Sequence, residues 1–425
     1  MDEGMKMAKT PEELYKERTD RIEAAINLKV PDRVPIAPQL GFFPIRYNGM
    51  TCQQALDDYQ RMAQAWKKTV LDFKWDMFSG PSVMYPGRVF DILGIKQFKL
   101  PGRQLPPDVT YQYVEGEYME AEEYDEFFAN PGEFTIKRLF PRMAVALDSF
   151  KDLPAFHSMA SGYALVMGVP TLLAMPNFAE AIEALINSAK EAASWLTVVT
   201  ELQEELKDLG FPVLFSSLPS QAPFDHISDF LRGMRGAMLD MYRNPDKLLR
   251  AIDLVTQPAI DGPLNVADMS GINRIFMPLH RGSKIFMSDK QFETFYWPSF
   301  KKVVNGLVNA GMIVAPFFEG DYTPRLEYLK ELPKGKIVGH FDQTDLAKVK
   351  EVLGDRMCIK GNIPASLLCT GTPRQVEEYC KRLIDIVGEG GGYIMDGGSG
   401  IPDEAKPENV KAMTEFTMKY GEYKK

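Results

Sequence analysis

The feature that most constrains this chain is a recurrence of short apolar or β-branched runs, each followed by residues of helical period. Eight runs stand out, at residues 34–37, 75–79, 212–217, 274–279, 312–318, 336–341, 357–360 and 392–396. Strands alternating with helices predict a parallel sheet, and eight repeats is the number that closes a (β/α)8 TIM barrel. The near-continuous apolarity of 312–318 suits a strand covered on both faces. Helix starts are signed at Thr10-Pro11-Glu12-Glu13 and Thr372-Pro373-Arg374-Gln375, where a hydroxyl cap precedes proline and a capping-box Glu or Gln. Gly388 reads as a helix stop.

The spacing is uneven, because about 130 residues separate the second run from the third. That gap predicts an insertion over 82–210 in an otherwise single barrel domain spanning 1–425. Its first part, 89–118, is rich in Pro, Gly, Tyr and Val and reads as a hairpin; its second, 177–208, is Ala/Glu/Leu-rich with helical period. The stretch 163–186 is the most apolar, but Pro170, Pro176, Asn177 and Glu180 interrupt it, so it is expected in the core and not in a bilayer.

Composition narrows the function classes. With 45% apolar residues among 425 the chain can bury a large core, and 49 Lys+Arg against 58 Asp+Glu give a net charge of −9. An acidic surface argues against nucleic acid and anionic membrane as partners. Cys52, Cys358, Cys369 and Cys380 lack zinc-knuckle spacing and read as reduced structural thiols. The charged start Met1-Asp2-Glu3-Gly4-Met5-Lys6 has no apolar stretch, so a cytoplasmic location is expected. Gly388-Glu389-Gly390-Gly391-Gly392 does not fit a dinucleotide loop.

In a barrel of this type the reactive side chains follow the strands. His280 closes the fourth run, Glu319 follows the fifth, and His340 ends the sixth. Two imidazoles and a carboxylate on three consecutive strands form an open ligand set for zinc, and also suit iron. A histidine near a strand end is commonly structural, and that reading stays open for each. His157 and His226 are read as structural. Phe42, Phe43 and Tyr47, after the first run, are either barrel packing or a wall for a flat substrate, with Arg46 beside them for a carboxylate.

Several segments resemble one family. Glu17-Arg18-Thr19-Asp20-Arg21-Ile22 with Pro31-Asp32-Arg33-Val34-Pro35, then Gly361-Asn362-Ile363-Pro364 with Gly371-Thr372-Pro373, then Gly400-Ile401-Pro402 with Pro407-Glu408-Asn409-Val410, are similar to the uroporphyrinogen decarboxylase superfamily. The resemblance implies a (β/α)8 fold and one of two activities, tetrapyrrole decarboxylation or zinc-dependent methyl transfer with a corrinoid protein. The decarboxylases carry an arginine-rich segment after the first strand; here it is Gln39-Leu40-Gly41-Phe42-Phe43-Pro44-Ile45-Arg46-Tyr47, with one arginine.

The thiol-specific methyltransferases of the superfamily carry cysteine ligands where this chain has Glu319 and Ser399, and a histidine where it has Phe317. Harder ligands disfavour a thiol substrate. The pattern resembles the branch that demethylates aryl methyl ethers, with Glu319 and His340 as zinc ligands and twenty residues between them. The resemblance thus implies His280 as third ligand or acid, Phe42, Phe43, Arg46, Tyr322, Asn362 and Asp396 around the methylated substrate, and cobalamin carried by a partner corrinoid protein, since no corrinoid-ligating loop is present. Asp321, Asp342 and Asp396 are alternatives to any one ligand. A homodimer is among the expected assemblies. Two rivals are kept: a metal-free decarboxylase or lyase, and a non-catalytic corrinoid- or tetrapyrrole-binding member.

Overall fold

The structure, a computed structural model, describes residues 9–81, 84–215 and 218–424. A small hairpin, β1 (Phe98–Lys99) and β2 (Gln112–Tyr113), precedes a parallel sheet of β3 (Arg274–Leu279), β4 (Ile313–Phe318), β5 (Val338–Phe341), β6 (Cys358–Lys360) and β7 (Tyr393–Ile394), hydrogen-bonded in that order. The first three predicted runs complete the ring through isolated pairings. Ile36 bridges Met395 in parallel, Asp76 donates its amide to the Ile36 carbonyl at 2.9 Å, and Phe78 bridges Val213. The third run reaches the fourth through Arg274 Nε on the Leu214 carbonyl (2.8 Å) and the Ser220 amide on the Phe276 carbonyl (2.9 Å). Eight parallel segments therefore close a (β/α)8 barrel in chain order. The last two residues of the third run, Ser216 and Ser217, lie outside the described residues.

The first run makes so few ladder bonds because Pro35 and Pro38 flank Ile36 and carry no N–H to donate. A side chain supplies what the backbone cannot. Asp76, fully buried on the second run, accepts from the Ile36 amide (2.8 Å), from Arg21 (2.6 Å) and from both terminal nitrogens of Arg33 (2.9 and 2.7 Å). Arg21 in turn reaches Asp32 and Glu17 at 2.6 and 2.7 Å. The segments 17–22 and 31–35 are thus one ionic clamp that ties the first helix, Pro11–Ile26, to the first two strands.

Helix ends follow the sequence signals. Thr10 with Glu13 and Thr372 with Gln375 both form reciprocal capping boxes. In the last helix, Pro407–Tyr420, Asn409 is buried and its Nδ2 donates toward the carbonyls of Leu367, Leu368 and Gly371 (3.3, 3.0 and 3.0 Å), closing the end of the helix Ala365–Thr370. Asn409→Ala should cost about 1–3 kcal/mol, since carbonyls in a closed site lose their donor. The measurement is a lowered urea midpoint at unchanged slope; an unaltered midpoint would refute the capping role.

The insertion contains the predicted hairpin, with Phe98 opposite Tyr113, and a 33-residue helix, Pro176–Asp208. A satellite core of Ala144, Leu147, Phe150, Phe178 and Ala181 forms where that helix begins. The expectation that 163–186 is core holds for Phe178 and Ala181, with Leu172, Leu173, Ile182 and Leu185 packed on that cluster, and needs correction for the rest. Tyr163 is 90% exposed, and Leu165, Val166, Met167, Met175 and Ile186 are exposed with it. The short turns there pack on one another and on the start of the long helix, so Leu172 and Leu173 reach the satellite core while the side chains on the other side find no opposing face. Among the described residues no single helix is long and apolar enough to cross a membrane.

Candidate functional site

Strand direction places the ends of β3, β4 and β5 on one rim of the barrel, and two polar clusters occupy it. The first is built around His280, just after β3. The helix Pro223–Phe230 presents two carboxylates four residues apart, Asp225 and Asp229, on one face. Asp225, buried at the ring wall, accepts the amides of His280 (2.9 Å) and Arg281 (3.0 Å) and the hydroxyl of Tyr296 (2.8 Å). Asp229 accepts from His280 Nδ1 at 2.6 Å, and its other oxygen lies 3.4 Å from Arg281 Nη2. Backbone and ring of His280 are therefore both fixed, and its Nε2 has no protein partner among the described residues. The side chain remains 33% exposed.

The electrostatics of this cluster hold a charge on the ring. Burial pulls the His280 imidazole down, but the hydrogen bond and charge of Asp229, with Asp225 and Glu319 behind, push it up to about 9. At neutral pH it is an imidazolium. Burial raises the Asp225 carboxyl to about 6 against the pull of His280. Glu319 is on the solvent side of the rim; partial loss of water raises its carboxyl, His280 lowers it, and Asp342 raises it again. Burial, with Asp225 nearby, lifts the hydroxyls of Tyr296 and Tyr322 well above the usual phenol range, so both stay protonated.

The second cluster is enclosed. His340 on β5, Lys360 on β6 and Asp396 after β7 are buried together. Lys360 Nζ lies 2.9 Å from Asp396 Oδ2, which also accepts the Gln39 amide at 3.0 Å. His340 Nε2 lies 3.0 Å from the Gly397 carbonyl, which can only accept, so Nε2 carries the proton. Burial first, and Lys360 second, lower its pKa far below the ordinary value and leave it neutral. Among the described residues its Nδ1 is buried without a partner, and the ring lies 4.9 Å from that of Phe317, its neighbour across the β4–β5 pairing.

The three expected zinc ligands are consequently divided between two environments. His280 is held by Asp229, Glu319 faces the rim, and His340 turns inward toward Gly397. Among the described residues no three His, Cys, Asp or Glu side chains form a group that could hold a metal ion. As placed, His280, Glu319 and His340 do not fit zinc. The alternatives are also committed: Asp342 accepts from the Gly320 amide and Ser399, Asp321 from the Thr323 amide, and Asp396 belongs to the enclosed cluster.

The expected substrate shell is also largely structural. Phe42 and Phe43 are buried, Phe43 stacking on Tyr47 and meeting Phe73 edge-on, which corrects the idea of an open aromatic wall. Arg46 is engaged by the Asp108 carbonyl (2.6 Å) and Glu404 (3.3 Å). Asn362 donates to the carbonyls of Asp342 and Thr344 (3.0 and 2.8 Å), bracing the loop after β5. Tyr322 is buried beside Phe318. His157 is exposed on a turn, and His226 is half-buried against Gln221. The residues that sequence reasoning missed are Asp225, Asp229, Arg281 and Lys360. Two acids at helical spacing in Phe224-Asp225-His226-Ile227-Ser228-Asp229 were the available signal for the first pair, and a lysine inside an apolar strand for the last.

Comparison with known proteins agrees with this architecture. The profile of the family described as uroporphyrinogen decarboxylase (URO-D) matches residues 159–420. A uroporphyrinogen decarboxylase from Geobacter metallireducens is 29% identical over 182 residues, 41% of this chain and 50% of that protein. One from Geotalea daltonii is 32% identical over 130 residues, 30% of this chain and 37% of that one. The chain spans about half the length, or less, of the curated relatives it matches. A solved methyltransferase from Methanosarcina mazei superposes with a TM-score of 0.60 over 95% of this chain and 98% of its own, at 16% identity, a likeness of fold. The profile covers more than half of the chain, which therefore belongs to the uroporphyrinogen decarboxylase family.

Proposed function

We propose that this chain is a methyltransferase that moves a methyl group from a methoxylated arene to cob(I)alamin carried by a separate corrinoid protein. The observation that carries the reading is His280: a charged, partly exposed imidazolium at the barrel rim, its Nδ1 on Asp229 and its Nε2 free. An aryl methyl ether needs help in one place, the oxygen that must leave as a phenolate. In the proposed step the C–O bond breaks with its electron pair going to oxygen, which takes the proton from His280 Nε2. The methyl carbon accepts an electron pair from the cob(I)alamin co-substrate, giving a phenol and a methylated corrinoid, and solvent returns the proton to His280. Glu319 beside the ring favours its charged form. No step is routed through zinc, because the side chains expected to hold it do not converge.

The similarity to uroporphyrinogen decarboxylases favours a second reading, decarboxylation of a polycarboxylate. The segment 39–47 supports it poorly, since Arg46 is its single arginine and is already engaged by Asp108 and Glu404. One assay separates the two. The protein is incubated anaerobically with chemically reduced cobalamin and 2-methoxyphenol, following loss of the cob(I)alamin absorption and release of catechol. Equal amounts of catechol and methylated cobalamin are expected. No methyl transfer across a panel of methoxyarenes, together with CO2 release from uroporphyrinogen, would replace the first reading with the second.

A further inference from the structure

A cavity of about 750 Å³ lies beside the barrel wall, between the loop after the third run, the helices Pro223–Phe230 and Pro258–Ser270, and the insertion turns around 131–143. Neither His280, Asp229 nor Glu319 lines it, so it is separate from the rim site. Three helix irregularities converge on it. Gly262 sits inside Pro258–Ser270, where an added Cβ would meet nothing nearer than Leu218 Cδ2 at 3.9 Å, so no close packing demands a glycine. Glycine there costs the helix about 0.5–1 kcal/mol relative to alanine, and what its missing side chain leaves is open space. Pro263 follows, removing a helical hydrogen bond. On the opposite wall the segment Thr135–Leu139 is a π-helical turn, a feature concentrated at functional sites.

The lining defines a chemistry. Among the described residues no Asp, Glu, Lys or Arg borders the cavity, while Phe127, Phe140 and Phe230 give it aromatic walls. Ser220 and Thr135 spend their hydroxyls on the carbonyls of Ala259 and Pro131. His226 Nδ1 lies 3.1 Å from Gln221 Oε1, which can only accept, so Nε2 is an unprotonated acceptor. Burial lowers the pKa of this histidine and keeps the ring neutral, with Asp229 opposing. We infer that this cavity is a binding site for a neutral aromatic alcohol of one or two rings, its hydroxyl donating to His226 Nε2 and its rings lying among the three phenylalanines. The size is that of an ordinary small-molecule pocket. This inference does not depend on methyl transfer.

The test uses 4-bromophenol, which is neutral at pH 7, with 4-bromobenzoate as its charged counterpart. Calorimetric titration should give a site that binds the phenol at least tenfold more tightly than the benzoate. Gly262→Phe, which grows into the open space, should weaken binding at least tenfold. Leu254→Trp at the cavity mouth should do the same and serves if the first variant does not fold. His280→Asn should leave the affinity unchanged, which separates this site from the rim. Bromine anomalous density in crystals should fall between Phe230 and Leu139. Absence of binding, equal affinity for the benzoate, indifference to both filling variants, or bromine beside His280 alone would overturn the assignment.

Discussion

His280→Asn is expected to slow demethylation of 2-methoxyphenol by two to four orders of magnitude while the fold persists, the span that general acid catalysis supplies. The side chain is partly exposed and its removal leaves no apolar void, so the variant should remain folded despite losing its pair with Asp229, and a rate loss in folded protein is the signature of its chemical role. The pH profile is a second readout. His280 acts as an acid only when protonated, so the rate should fall as pH rises through about 9. Asp229 is a positioning residue, and Asp229→Asn should move that limb down toward the unperturbed 6.5 as well as lowering the rate. The same ring contributes to stability with a definite sign. Its folded pKa is raised, so its contribution is complete below about 6.5 and disappears as pH rises through about 9. A variant with an unshifted alkaline limb would show that Asp229 does not set the protonation of His280.

Asp76→Ala should destabilise the protein by about 3–5 kcal/mol, because it leaves Arg21 and Arg33 without the buried charge between them. The Ile36 amide loses its acceptor in the same change, so the first strand is released from the second. Unfolding by guanidinium followed by circular dichroism measures this directly. A loss below about 1 kcal/mol would mean that Asp32 and Glu17 can neutralise Arg21 unaided, and that the clamp is a surface feature. The outcome also bears on the family segments at 17–22 and 31–35, whose residues lie at the clamp and not at the rim.

Local patterns in the sequence were sufficient for the barrel. The run at 274–279 is strand β3 residue for residue, and both threonine capping boxes form as read, because strand apolarity and cap hydrogen bonds depend on neighbours a few residues away. The position of His280, Glu319 and His340 along the chain was legible for the same reason. Their directions were not. His340 turns inward because the Gly397 carbonyl, 57 residues on, is there to accept its proton. His280 is charged because Asp225 and Asp229, more than fifty residues earlier, stand against it. Much of the apolar stretch at 163–186, from Tyr163 to Met167 above all, came out on the surface because burial needs an opposing face, which composition does not reveal. The sequence by itself thus determined the number of strands and the ends of β3, β4, β5 and β6, since those are short-range properties of the chain. Only the tertiary structure decided which side chains share a site and in what charge state, since both depend on groups brought together from distant segments by closure of the ring.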